Sequence, residues 1–143
     1  MHDQSTSHPR TGGCHCGRVR FSTTGAAFQE SNCHCSICRR TTGAPFVAWF
    51  SVRRSEFRFT LGQPRSYASS AQAKRSFCDA CGTQLTFEHA GFPEEIGVTT
   101  CSLDDPAALS PKDHIWVGSR LPWIRLCDGL PEFTQEREDA APG

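Results

Sequence analysis

Phe77-Cys78-Asp79-Ala80-Cys81-Gly82 is the stretch that decides how this chain folds. Two cysteines two residues apart, followed at once by glycine, make a tight turn that presents both sulfurs to one centre and leaves backbone N–H groups to bond them. Glycine relieves the backbone strain of such a turn. Alone, a Cys-x-x-Cys pair serves redox chemistry as well as metal binding. Five more cysteines lie upstream, in Gly13-Cys14-His15-Cys16-Gly17 and Cys33-His34-Cys35-Ser36-Ile37-Cys38. Seven clustered thiols read as zinc ligands and not as a disulfide framework.

That reading needs thiols kept reduced. The segment from Met1 to Arg10 is polar, lacks an apolar core and does not read as a secretory signal, and no apolar run approaches membrane-spanning length. A soluble protein of the reducing cytoplasm, with no membrane partner, is the expectation. Lys plus Arg and Asp plus Glu are both 15, so no positive excess exists to track a phosphate backbone, and nucleic acid is not the expected partner.

The 143 residues, 37% hydrophobic, suffice for one domain with one modest core. Residues 1–11 read as a disordered leader in which His2 and His8 are too isolated to form a site, 12–133 as the domain, and 134–143 as a disordered tail. From Gly17 to Thr23, Val19 and Phe21 alternate with polar residues, the pattern of a half-buried strand. Pro45 to Val52 is apolar on both parities, a central strand covered on both faces, which puts Phe46, Trp49 and Phe50 in the core. Further strands are expected at Phe57–Leu61, Lys74–Phe77, Gln84–Glu88, Glu95–Thr100 and His114–Val117. Helix is limited to a turn after Cys35 ending near Gly43, and another at Asp104–Leu109 capped by Asp104 or Asp105. The class is mostly β.

Zinc saturates at four thiolates, so seven ligands divide into four and three, one closed site and one with a position left for water or substrate. In an extended Cys-x-Cys segment both sulfurs share a face, and His15 and His34 point away. Cys33, Cys35 and Cys38 are near enough in sequence to share an ion, leaving Cys14 and Cys16 to join Cys78 and Cys81 across the domain. Spacing also permits a single four-thiolate site, or a second site completed by His34, His15 or Cys101. Cys101 and Cys127 lie in apolar contexts and read as small buried hydrophobes.

The ordered set Gly13–Gly17, Cys33–Arg39, Gly43-Ala44-Pro45-Phe46, Phe77–Thr83, Asp113-His114-Ile115-Trp116, Pro122-Trp123 and Asp128-Gly129-Leu130-Pro131-Glu132-Phe133 resembles the glutathione-dependent formaldehyde-activating enzyme family, which includes centromere protein V. The resemblance implies an Mss4-like β-tent of short antiparallel strands stapled by two zinc ions. It also implies that Cys14, Cys16, Cys78 and Cys81 form the structural site and Cys33, Cys35 and Cys38 the second. The reaction it implies is reversible addition of glutathione to formaldehyde, giving S-hydroxymethylglutathione, a carbon–sulfur lyase activity.

On this expectation Cys33, Cys35 and Cys38 carry catalysis as ligands that leave zinc one position for a substrate thiol, whose deprotonation the metal favours. Arg39 or Arg40 beside Cys38 is the candidate partner for a glutathione carboxylate, and His34 is a candidate substrate contact. The competing expectation is a non-catalytic binding module in which both zinc ions are structural.

Overall fold

Val47–Arg53 shows how the sheet separates core from cavity. In this strand, β4, Phe50 and Val52 are fully buried in the main core, while Trp49 and Ser51, on the other parity, line a cavity. A strand apolar on both parities is thus covered on both faces, by packed side chains on one and by the wall of a pocket on the other. The computed structural model describes residues 9–137. The expected leader up to residue 8, with His2 and His8, and the expected tail from 138 lie outside the described residues.

The other strands, in chain order, are β1 Arg10–Gly13, β2 Arg20–Thr23, β3 Phe28–Cys33, β5 Phe57–Leu61, β6 Arg65–Ala68, β7 Ala73–Phe77, β8 Gln84–His89, β9 Glu95–Thr99 and β10 Asp113–Ile115. They form a three-stranded sheet, β1-β2-β5, and a seven-stranded sheet, β10-β3-β4-β9-β8-β7-β6. Pairing is antiparallel except where β10 lies parallel to β3. The protein is mostly β, as its alternation indicates. The core holds Phe21 and Phe57 from the small sheet, and Val19 just before β2, with Phe50, Val52, Leu85, Ile96 and Val98 from the large one. Cys14 and Cys78 belong to the same cluster, so one thiol group is built into the core's edge.

Three strands escape the alternation argument. β3 reads Phe-Gln-Glu-Ser-Asn-Cys, too polar to suggest a strand flanked on both sides; several of its polar side chains face the cavity. β6 is exposed throughout, an edge with no buried face to impose a pattern. β1 includes Arg10 and Thr11, so strand structure reaches into the segment assigned to the leader. Thr134 and Gln135 are likewise tied down, accepting backbone hydrogen bonds from Gly118 and Trp116. The fold therefore includes residues on both sides of the expected 12–133.

Helix α1 spans Ser36–Thr42 and ends at Gly43, whose φ of 67° is the left-handed cap favoured by glycine. The second expected helix is only a 3-10 turn, Pro106–Ala108, with no side-chain cap. Asp104 instead accepts hydrogen bonds from Arg20 and Thr11, tying the loop after β9 to β1 and β2. β10 stops at Ile115 because Trp116 turns to a φ of 58°. Among the described residues, no helix is long and apolar enough to cross a membrane.

Phe50 is wholly enclosed between the sheets. Phe50→Ala should cost ~3–5 kcal/mol of unfolding free energy in urea denaturation of the metal-loaded protein.

Candidate metal centre

The first thiol cluster joins the loop after β1 to the loop after β7. Cys14, Cys16, Cys78 and Cys81 place their Sγ atoms within 4.8 Å of one another. Two of the separations are 3.6 Å, Cys14 to Cys16, and 3.7 Å, Cys16 to Cys78. A disulfide would need ~2.05 Å. Zn–S bonds of ~2.3 Å in a tetrahedron put sulfurs ~3.8 Å apart. The cluster has the dimensions of a four-thiolate cation site, and all nine cysteines are free.

Backbone geometry makes this cluster. After β7, Cys78 N–H bonds Thr83 O and Gly82 N–H bonds Cys78 O at 2.7 Å, with Gly82 at a φ of 85°. Thr83 bonds Cys81 through its hydroxyl, which with the Thr83 N–H helps bring that thiol down to about 5. Cys14-His15-Cys16 was expected to be extended. It is a turn instead, closed by Gly17 N–H on Cys14 O, and the turn brings the two sulfurs together. Val19 N–H donates to Cys14 Sγ at 3.3 Å, the kind of contact that stabilises a thiolate. His15 is exposed and outside the ligand group.

The second cluster is assembled where β3 meets α1. Cys33 closes β3, Cys35 is the N-cap of α1 and accepts the Cys38 N–H at 3.3 Å, and Cys38 is buried in the helix's first turn. Their Sγ atoms also lie within 4.8 Å of one another. Among the described residues no histidine, carboxylate or further cysteine completes this group, so His34, His15 and Cys101 do not supply a fourth ligand. Crowding governs the acidity. Cys33, then Cys38, stabilise the Cys35 thiolate and pull it down to about 2, while Cys35, then Cys38, push Cys33 far up. Ionising all three together requires a cation at their centre.

Strand register aims a row of side chains at this cluster's cavity. Arg75 of β7 pairs with Phe87 of β8, Phe87 with Gly97 of β9, and Gly97 with Ser51 of β4. All four line a cavity of about 580 Å³ together with Cys33, Cys35 and Cys38. Aromatic and aliphatic walls come from Trp49, Phe92, Ile115 and Trp116. Gln29 and Trp116, the two non-glycine residues with positive φ among those described, both stand on its wall. Gln29 sits at the irregularity in the β3–β4 pairing and accepts the Ser51 hydroxyl. Backbone strain thus concentrates at this cavity.

The two residues expected to touch substrate lie elsewhere. His34 is fully buried, stacked on Phe46 at 4.7 Å between ring centres, with its Nε2 3.0 Å from His114 Nδ1; His114 in turn contacts Asp128 at 2.8 Å. Burial, then His114, hold the His34 imidazole down at about 4. Arg39 donates to the Ser119 carbonyl, and Arg40 is exposed. None of the three lines the cavity. The arginine at the thiols is Arg75, which sequence reasoning missed; the one signal was an arginine in the strand leading into the Cys78 turn. Of the three aromatics assigned to the core, Phe50 is there, Trp49 walls the cavity, and Phe46 covers His34. Cys101 and Cys127 are exposed, contrary to expectation. The 3-10 turn Thr100–Ser102 takes Cys101 out of the alternation of β9, and Cys127 lies outside any strand or helix.

Fold and thiols together define a class: a small β-domain with one four-cysteine cluster at the edge of its core and one three-cysteine cluster on a cavity. Residues 9–119 match the family described as glutathione-dependent formaldehyde-activating enzyme, and the chain belongs to that family. A Halomonas elongata protein provisionally named as such an enzyme is 25% identical over 124 residues, 80% of this chain and 79% of its own. An uncharacterized lyase of Schizosaccharomyces pombe is 35% identical over 78 residues, 54% of this chain and 56% of its own. A crystal structure of a Rhodobacter sphaeroides protein superposes with a TM-score of 0.55 at 26% identity, covering 87% of this chain and 99% of that one.

The clusters should differ under substitution. Cys81→Ser should unfold the domain, because structural zinc contributes ~10 kcal/mol or more to small folds. Cys38→Ser should leave the far-ultraviolet circular dichroism nearly unchanged and lower the number of bound metal ions by one, read by native mass spectrometry. A separate expectation concerns Glu95, on the cavity wall with no bonding partner for its carboxylate among the described residues. Burial raises it above its ordinary value of 4.5, so the folded state holds its proton more tightly than the unfolded chain. Glu95 therefore lowers stability at neutral pH, and the effect fades as pH falls to the ordinary carboxylate range. Glu95→Gln should raise the urea midpoint at pH 7, with a smaller gain at pH 5.

Proposed function

We propose that this protein is a zinc-dependent enzyme of the carbon–sulfur lyase type that takes glutathione, or a similar thiol, at Cys33, Cys35 and Cys38 and handles its adduct with formaldehyde or another small electrophile. The observation that carries this reading is three thiols within reach of one ion on a cavity wall, with no fourth protein ligand among the described residues. A purely structural site is closed by four protein ligands, as the other cluster would be.

Zinc bound there supplies one chemical service, favouring the thiolate form of a thiol offered to its fourth position at neutral pH. Cys33, Cys35 and Cys38 act as ligands and not as nucleophiles. The new S–C bond forms between the substrate sulfur and the carbonyl carbon, and the thiol proton ends on the carbonyl oxygen. Thiol plus aldehyde therefore balances the hydroxyalkyl thioether with no oxidant or reductant, and the reverse is the lyase direction. Trp49, Phe87, Ile115 and Trp116 exclude water from the reacting atoms, and the cavity's 580 Å³ lies in the range of small-molecule sites. A site with four thiolates is a poor Lewis acid, so its contribution is to position and deprotonate the thiol. Cys14, Cys16, Cys78 and Cys81 would hold the fold. Free thiols throughout suit a reducing cytoplasm, and the balanced charge suits a small-molecule partner over nucleic acid.

Zinc K-edge absorption of the protein with two zinc ions, titrated with glutathione, tests the reading. Averaged over both ions, sulfur coordination should rise from ~3.5 to ~4 per zinc as the second site gains a thiolate. An unchanged shell at saturating glutathione would support the binding-module alternative.

A further inference from the structure

Arg75 is an arginine buried without a carboxylate. Its side chain is only 4% exposed. Its Nε donates to Ser69 Oγ at 3.1 Å, and its two terminal nitrogens lie 3.8 and 3.7 Å from Cys38 Sγ. The guanidinium carbon lies 4.9 Å from the Phe87 ring centre and 5.7 Å from that of Trp49. Among the described residues no Asp or Glu forms an ion pair with it. A cation taken out of water without an opposing charge is strongly unfavourable, so a partner is required. The anion in contact is the Cys38 thiolate, one of the three clustered sulfurs.

Charge arithmetic gives the arginine a purpose that structural support alone does not. A divalent ion with three thiolates carries one net negative charge, and a fourth thiolate makes it two. In a cavity walled by Trp49, Phe87, Ile115 and Trp116 the second negative charge is poorly solvated and repelled by the first. The arginine cancels one of these charges. Two aromatic rings and the Ser69 hydroxyl hold the guanidinium in place, so it needs no reorganisation when an anion arrives.

We propose that Arg75 is the positioning residue that makes the three-cysteine site selective for an anionic fourth ligand, a thiolate, over a neutral one. The inference rests on the reading of this site as one that accepts a substrate thiol, and it names the residue responsible for that preference. Arg75 remains bonded to Cys38 throughout and exchanges no proton with substrate. Arg39, beside the cluster in sequence, is occupied with Ser119 and does not serve this purpose.

The test uses the full chain with cobalt in both sites, whose sulfur-to-cobalt charge-transfer bands report each ligand exchange. Glutathione and 2-mercaptoethanol are the anionic probes and imidazole the neutral one, each titrated against wild type, Arg75→Met and Arg75→Lys. Arg75→Met should weaken binding of both thiols 10- to 100-fold, the range typical of groups supporting metal ligands, and leave imidazole affinity within about twofold. Arg75→Lys, which keeps the charge but loses the fork, should fall between. Equal loss for thiols and imidazole would mean that Arg75 merely supports the cavity's shape, and would overturn the proposal. So would unchanged thiol binding in Arg75→Met. Should Arg75→Met not fold, Arg75→Lys decides: its thiol-to-imidazole ratio must drop below wild type, and an unchanged ratio overturns the proposal. If wild type binds 2-mercaptoethanol but not glutathione, the glutathione reading fails while the arginine comparison still holds. If wild type binds neither thiol, both fail.

Discussion

Four sulfurs brought to one point hold this protein in register. Cys14 and Cys16 belong to the loop that leads from β1 into β2, Cys78 and Cys81 to the loop between β7 and β8, so their cluster pins the small sheet to the large one. Cys14 and Cys78 are also members of the main core, and nothing separates metal binding from hydrophobic packing at that edge. Four thiols at ~3.8 Å repel one another once ionised, and a divalent ion turns that repulsion into attraction. β7 runs directly into this junction, which helps fix where Arg75 stands on the large sheet.

The second consequence is a sheet with two unlike faces. Phe50, Val52, Ile96 and Val98 fill the core, while Trp49, Ser51, Glu95 and Gly97 of the same two strands turn toward the cavity. A one-residue slip of either strand would exchange the two sets and destroy both the core and the cavity. The three-cysteine cluster sits at the end of this wall because β3 pairs with β4 and delivers Cys33 beside Val47. Core packing and cavity chemistry are therefore determined by the same register.

Much of this was legible from residue order. Alternation at Val19 and Phe21, the apolar run in β4, and the spans of β5, β7, β8 and β9 reflect burial of one or both faces, which leaves a period in the chain. β3, β6 and β1 leave none, because one is polar toward a cavity, one lies exposed at an edge, and one is a short glycine-containing strand. Cys101 and Cys127 read as buried because their neighbours are apolar. Local irregularity, a 3-10 turn in one case, brings each to the surface.

The spacing of seven cysteines by itself determined three local clusters, Cys14 with Cys16, Cys33 with Cys35 and Cys38, and Cys78 with Cys81, and only the fold joined the first to the last. Only the tertiary structure decided what surrounds them. His34 and Arg39, adjacent to the ligands in sequence, turn into the core and toward the Ser119 carbonyl. Arg75, 37 residues from Cys38, is the side chain that meets its sulfur. Ligand spacing is a local property of the chain, whereas the charge beside a buried thiolate comes from whichever strand the sheet register places there.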